Sequence, residues 1–323
     1  MNIMKAFRRG YSLVNENIKM VPIIYIVNLA VATILAIPMF ATLNNSFGAR
    51  AVREKMIQNF DYDWWSTFRL GANSFEKTIR PSLSSGFGTL FDNLQLLLNG
   101  KFNSFGIWIL VFGVVYLLLA AFMNGGVIGI YADEKRSFTV SRFFSNSGFY
   151  FHHFFALTFA VAILFFIVYK FISPALFGII NGLSRNWMSD RAVWFVHLAG
   201  YIILLFIIAF FNMIFDYAKI IIVLEKKKSS WLCIWLGFKF AVKHFAKTIG
   251  LYFLLAAVGL GLVLVFGLAQ TFVQPTQIVL LVVVIAIQQI FIFLKIGLRL
   301  DFYGAQMALY QQDQSTVRKL RKV

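Results

Sequence analysis

Asp216 and Lys219 stand one helical turn apart in an otherwise apolar stretch, and Lys295, Arg299 and Asp301 interrupt a second one. Asn124 and Asn212 sit in similar company. Polar side chains are costly in hydrocarbon, so these seven are the first place to look for function. The chemistry open to them is electrostatic. Cations and amides can hold an anion, and carboxylates can neutralise cations. On the functional reading they converge as a headgroup or anion site between helices. On the plainer one the cations snorkel to water, the acids neutralise them, and the bundle is locked. Either way Asp216 needs a partner. Lys295 or Arg299 is expected to supply it, with Lys219 giving only part of the answer.

Other residue patterns offer less. His152 and His153 are adjacent and should point to different faces of a helix, and His197 and His244 lie far away. None has the i, i+4 spacing of a helical metal pair. The single Cys233 excludes an intrachain disulfide and a cysteine metal cluster. Nucleophile-elbow and phosphate-loop patterns are absent. Asp61 and Asp63 are close in sequence, which is not the paired geometry of a glycosidase. The expectation is no enzyme activity, no metal and no cofactor.

The elements that must position the polar residues follow from composition. The chain has 323 residues, 60% of them hydrophobic and 13% charged. Soluble domains carry roughly 25% charge, so a bilayer is the solvent for the excess apolar surface. Six stretches are long enough to cross about 30 Å of hydrocarbon. They lie near Met20–Leu43, Phe105–Tyr131, Phe154–Ile180, Val193–Leu224, Thr248–Phe272 and Ile278–Arg299. The first is too long for a signal-peptide core and reads as a retained span. Pro38, Pro174 and Pro275 fall near span ends.

The 30 Lys+Arg against 13 Asp+Glu give +17. With this apolar content the excess reads as positive-inside flanks meeting anionic lipid, and no nucleic-acid partner is expected. Basic residues precede span one, follow spans two and four, and end the chain, whereas 181–192 and 273–277 carry few or none. Both termini are therefore expected in the cytoplasm of a bacterial cell, with the chain in its inner membrane. Residues 1–323 read as a single membrane domain. Residues 44–104 form a long extracytoplasmic loop between spans one and two, expected to be functional or structured. Asp61, Asp63, Trp64 and Trp65 are its candidate contacts, and Phe87, Leu90, Phe91, Leu94, Leu97 and Leu98 share a helical face.

A faint repeat organises the whole as an all-α fold of three units, each an interfacial amphipathic helix followed by a transmembrane hairpin. The clearest amphipathic copy is 230–246, with Trp231, Ile234, Trp235, Phe238, Val242 and Phe245 at helical spacing. At the N-terminus Ile3, Phe7, Tyr11, Val14 and Ile18 share a face; the middle copy, 137–153, is Phe-rich and less regular. Trp231, Trp235, Lys239, Lys243, Lys247, Arg8 and Arg9 are the candidate lipid contacts. Gly125 and Gly129 have the spacing that lets two helices approach closely, here for internal packing.

The opening Lys5-Ala6-Phe7-Arg8-Arg9-Gly10-Tyr11, the run Phe215-Asp216-Tyr217-Ala218-Lys219-Ile220 and the basic amphipathic helix after it carry a likeness. So does the Asp63-Trp64-Trp65 segment. In layout the chain resembles uncharacterised bacterial six-span proteins similar to the membrane domain of some glycerophosphodiester phosphodiesterases. The phosphodiesterase barrel and its metal carboxylates have no counterpart here, so the resemblance implies a membrane module without enzyme activity.

The leading functional expectation is a scaffold or accessory subunit that binds anionic lipid, a membrane protein partner, or both. The alternative is a transporter or lipid-moving protein, which would need a polar cavity reaching the membrane midplane.

Overall fold

Asn2, Thr139 and Ser229 each begin an amphipathic run, and in a computed structural model of the chain each caps a helix. Their side chains accept from the backbone N–H of Met4, Arg142 and Leu232. The structure describes residues 2–46, 61–71, 107–133, 138–226, 229–273 and 278–320, and every regular element among them is helical. In order these are α1 (Ile3–Glu16), α2 (Met20–Ser46), α3 (Tyr62–Gly71), α4 (Ile107–Ala132) and α5 (Val140–Ile167). A π turn, Val168–Ile172, leads into α6 (Ser173–Ser184). Then come α7 (Asp190–Glu225), α8 (Ser230–Lys243), α9 (Phe245–Phe272) and α10 (Ile278–Leu320). Six of these helices are long and apolar enough to cross a membrane: α2, α4, the continuous α5–α6, α7, α9 and α10.

The chain is a polytopic all-α membrane protein, with some boundaries that differ from expectation. The middle amphipathic segment and the third span are one helix from Val140 to Ser184, because nothing between Tyr150 and Ala156 breaks it. Pro174 lies inside that helix, and the π turn just before it lets the helix continue past a residue with no N–H. The last helix runs 43 residues, about 64 Å, twice the hydrocarbon thickness. The predicted helical face at Phe87–Leu98 and the basic residues Lys135, Arg136, Lys227, Lys228, Arg321 and Lys322 lie outside the described residues.

The three units are linked in a ring at the end of the bundle that carries α1, α8 and the start of α5. In each link the amphipathic helix of one unit packs on the return span of another, through small residues. A Cβ on Gly10 of α1 would strike Asp301 and come within 2.6 Å of the Ala305 backbone nitrogen. One on Gly237 of α8 would lie 2.8 Å from the Ile214 carbonyl and 3.1 Å from the Ala218 nitrogen. On α4, Gly125, Gly126 and Gly129 face Ser147, Phe143 and Asn146 of α5, so this glycine set serves packing within the chain. The return spans thus meet their partners at Gly126/Gly129, Ile214/Ala218 and Asp301/Ala305.

This packing decides which face of each amphipathic helix meets protein. On α1 the buried residues are Ala6, Gly10, Leu13 and Val14, while Tyr11 and Ile18 are exposed. On α8 they are Ser230, Cys233, Gly237, Phe240 and Ala241, and Trp231, Trp235, Phe238 and Val242 point outward, as does Phe245 at the start of α9. Small residues admit a neighbouring backbone, so they take the protein side; bulky aromatics are left for lipid. The larger of the two buried hydrophobic clusters includes Tyr217, Phe143, Phe154, Met20 and Ile128. Beyond Val31 the described side chains of α2 are mostly exposed, and so are those of α4 between Val111 and Leu117.

Candidate functional site

The polar residues meet on the two sides of α10. Arg299 and Tyr303 are one turn apart, Lys295 is one turn earlier, and this spacing keeps all three on neighbouring faces. Two cavities share these three residues. The first, about 370 Å³, lies between α2, α4 and α10, where Asn28, Tyr116, Asn124 and Gln289 supply its polar wall and Ile24, Val27, Val31, Leu119 and Met123 its apolar one. The second, about 430 Å³, lies between α7, α9 and α10 and adds Asn212, Asp216, Lys219 and Tyr252. The alignment of the return spans explains the convergence. Two residues before the ring contacts at Gly126, Ile214 and Asp301 stand Asn124, Asn212 and Arg299, so equivalent positions of three helices deliver polar groups to one level.

Asp216 is buried, and its partner is Lys219, whose Nζ donates to Oδ1 at 2.9 Å. The expected pairing with Lys295 or Arg299 is not the one formed. Lys219 is one turn along the same helix and reaches the carboxylate without bridging a cavity. The same Nζ lies 5.6 Å from the centre of the Tyr303 ring, a cation–π contact. Asn212 Nδ2 donates to the Tyr252 hydroxyl at 3.2 Å. At the far end of the first cavity the Tyr25 hydroxyl donates to Gln289 Oε1 at 2.6 Å, tying α2 to α10. The Arg299 guanidinium lies beside the Tyr303 hydroxyl and within electrostatic reach of Asp216 and Tyr116. Neither Lys295 nor Arg299 forms an ion pair among the described residues.

Six of the seven predicted residues therefore line the cavities, and Asp301 does not. Its carboxyl is buried on the opposite side of α10, against Gly10 of α1, and Oδ1 has no hydrogen-bond partner. A helix repeats every 3.6 residues, so a position two beyond Arg299 points away from it. Tyr303, Tyr252, Tyr116, Asn28 and Gln289 were not picked out from the sequence. Only Tyr303 carried a usable signal, as the third member of the 295–299–303 series.

The remaining candidates divide. Trp231 and Trp235 are exposed on α8, and Lys239 Nζ lies 5.3 Å from the Trp235 ring centre, so this face suits a headgroup boundary. Arg8 is exposed, whereas Arg9 is held by Glu16 at 3.0 Å. Asp61 caps α3, accepting from the N–H groups of Asp63 and Trp64 at 3.1 Å, a structural use of that carboxylate. Trp64 stacks on Phe68 and donates to the Ser46 carbonyl at 3.3 Å, holding α3 against the end of α2. The rings of His152 and His153 lie 3.8 Å apart instead of diverging, because His153 turns to bond Ser230 Oγ at 3.1 Å and so joins α5 to α8. Among the described residues no three of His, Cys, Asp and Glu come together as metal ligands would.

Comparison with protein-family models, curated proteins and solved structures gave no match. Function has to be argued from this geometry.

Proposed function

We propose that this chain is a non-enzymatic protein of the bacterial cytoplasmic membrane, with both termini cytoplasmic, that holds an anionic lipid headgroup between its helices as a scaffold or accessory subunit. One observation carries the reading. Lys295 and Arg299 face the two cavities without a counter-ion among the described residues, while the one lining carboxylate, Asp216, is already taken by Lys219. Both side chains are exposed where they face the cavities, and an anion there would supply the counter-ion that a cation beside hydrocarbon needs. The site's depth agrees. Lys295 is about 25 Å along α10 from its start, near the far edge of a core of about 30 Å, where phosphates lie. The exposed aromatic and basic face of α8 would rest on the same leaflet.

A lipid-moving role has its own support. The first cavity extends from Arg299 to Gln289, which is about 16 Å from the start of α10 and so near the midplane. Its wall there is polar, through Tyr25, Asn28 and Gln289.

The test is gentle detergent extraction followed by mass spectrometry of co-purifying lipids and proteins. Anionic lipid retained by the wild type and lost from the Lys295→Gln/Arg299→Gln double variant supports the site. Equal lipid retention by both proteins would refute it. A stoichiometric protein partner would favour the accessory-subunit form, and movement of labelled lipid between vesicle leaflets would favour the lipid-moving one.

A further inference from the structure

The headgroup's chemical class can be taken further, resting on the anionic-lipid reading above. Counting the charged residues that line the two cavities, Lys219, Lys295 and Arg299 stand against Asp216. The balance is three positive against one negative, so two positive charges are uncompensated. A phosphodiester headgroup such as a phosphatidylglycerol brings one negative charge. A phosphomonoester brings nearly two near neutral pH, and adjacent cations favour loss of its second proton.

The donors fit the same group. Arg299 presents a planar fork of N–H donors and Lys295 a rotatable ammonium one turn away, at the separation of neighbouring helical residues, about 5–6 Å between Cβ atoms. The Tyr303 hydroxyl lies beside the guanidinium, and Tyr116 lines the same cavity. A terminal phosphate has three free oxygens to receive them, where a diester has two.

The rest of the ligand is defined by the first cavity. Ile24, Val27, Val31, Leu119 and Met123 give it an apolar wall, and the described side chains of α2 beyond Val31 and of α4 between Val111 and Leu117 are mostly exposed. A cavity of about 370 Å³ takes a headgroup and the start of a chain, and the exposed faces of α2 and α4 would let the remainder lie in the bilayer. We propose that the site binds a membrane lipid ending in a phosphomonoester, its phosphate between Lys295 and Arg299 and its chains leaving between α2 and α4.

The experiment is titration of the full chain in phosphatidylcholine nanodiscs with phosphatidic acid, phosphatidylglycerol or inorganic phosphate, read by native mass spectrometry. Phosphatidic acid is expected to bind about tenfold or more tighter than phosphatidylglycerol, because one further charge is compensated beside the hydrocarbon boundary. Lys295→Gln and Arg299→Gln should each abolish that preference, while Lys19→Gln, outside both cavities, should keep it; unfolding temperatures show whether each variant is folded. Equal binding of the two lipids, both above the phosphatidylcholine background, would overturn the phosphomonoester assignment and leave the anionic-lipid reading standing. Binding of neither above background would overturn both. Inorganic phosphate that binds as tightly as phosphatidic acid would overturn the lipid part, since the chains would then contribute nothing.

Discussion

Replacing Gly10 with alanine should open the ring where α1 meets α10. The new Cβ would touch Asp301 and sit 2.6 Å from the Ala305 nitrogen and 2.8 Å from its Cβ. Ordinary contacts between carbon atoms are about 3.5–4.0 Å, so the helices must separate by roughly 1 Å. Two of the three clashes involve Ala305, whose backbone and short side chain cannot swing aside. Overpacking of this kind costs about 1–3 kcal/mol, and alanine returns up to about 1 kcal/mol through helix propensity. A net loss of about 1–2 kcal/mol follows, which lowers the unfolding midpoint by roughly 1.5–3 °C for a chain of this size. The assay is thermal unfolding in one mild detergent, followed by tryptophan fluorescence. Gly148→Ala is the control: a Cβ there meets nothing within 4 Å, so that variant should be unchanged or slightly stabilised. If Gly10→Ala unfolds at or above the wild-type temperature, α1 does not pack on α10 through this crossing, and the closed arrangement of three units is wrong.

Four further outcomes are expected. In a double-mutant cycle, Asp216→Ala and Lys219→Ala should couple by about 1–3 kcal/mol, whereas Asp216→Ala and Lys295→Ala should be closer to additive; the reverse order would reassign the ion pair. Trp235→Ala should leave detergent stability nearly unchanged, because the ring is exposed, but weaken α8 against anionic vesicles; a large loss of stability would mean that this face is packed on protein. Cys233 is fully buried, so a maleimide should label it only after denaturation, and rapid labelling of the native protein would contradict the packing of α8 on α7. Reporter fusions at the two ends should both be active in the cytoplasm, and one active only outside would break the assigned orientation.

The solvent of this protein was legible in its residues. Long apolar runs need no partner to declare themselves, because hydrocarbon rewards each apolar residue independently. Four of the six spans therefore came out within three residues of the observed helices. Span ends were less secure: α10 continues well past Arg299 because helix formation depends on having no breaker, not on the membrane's edge.

Facial direction required the fold. Tyr11, Trp231 and Trp235 mark amphipathic helices equally well whether the aromatic side meets protein or lipid. Only the close approach of Gly10 to Ala305 and of Gly237 to Ala218 shows that small residues take the protein side. The polar layer shows the same division. Asn124, Asn212, Asp216, Lys219, Lys295 and Arg299 could be named from the cost of burying them, since that cost belongs to each residue alone. That Asp216 belongs to Lys219, that Asp301 turns to α1, and that Tyr303 stands between two cavities were decided by packing. Pairing and enclosure are properties of several helices at once, and no single stretch of sequence contains them.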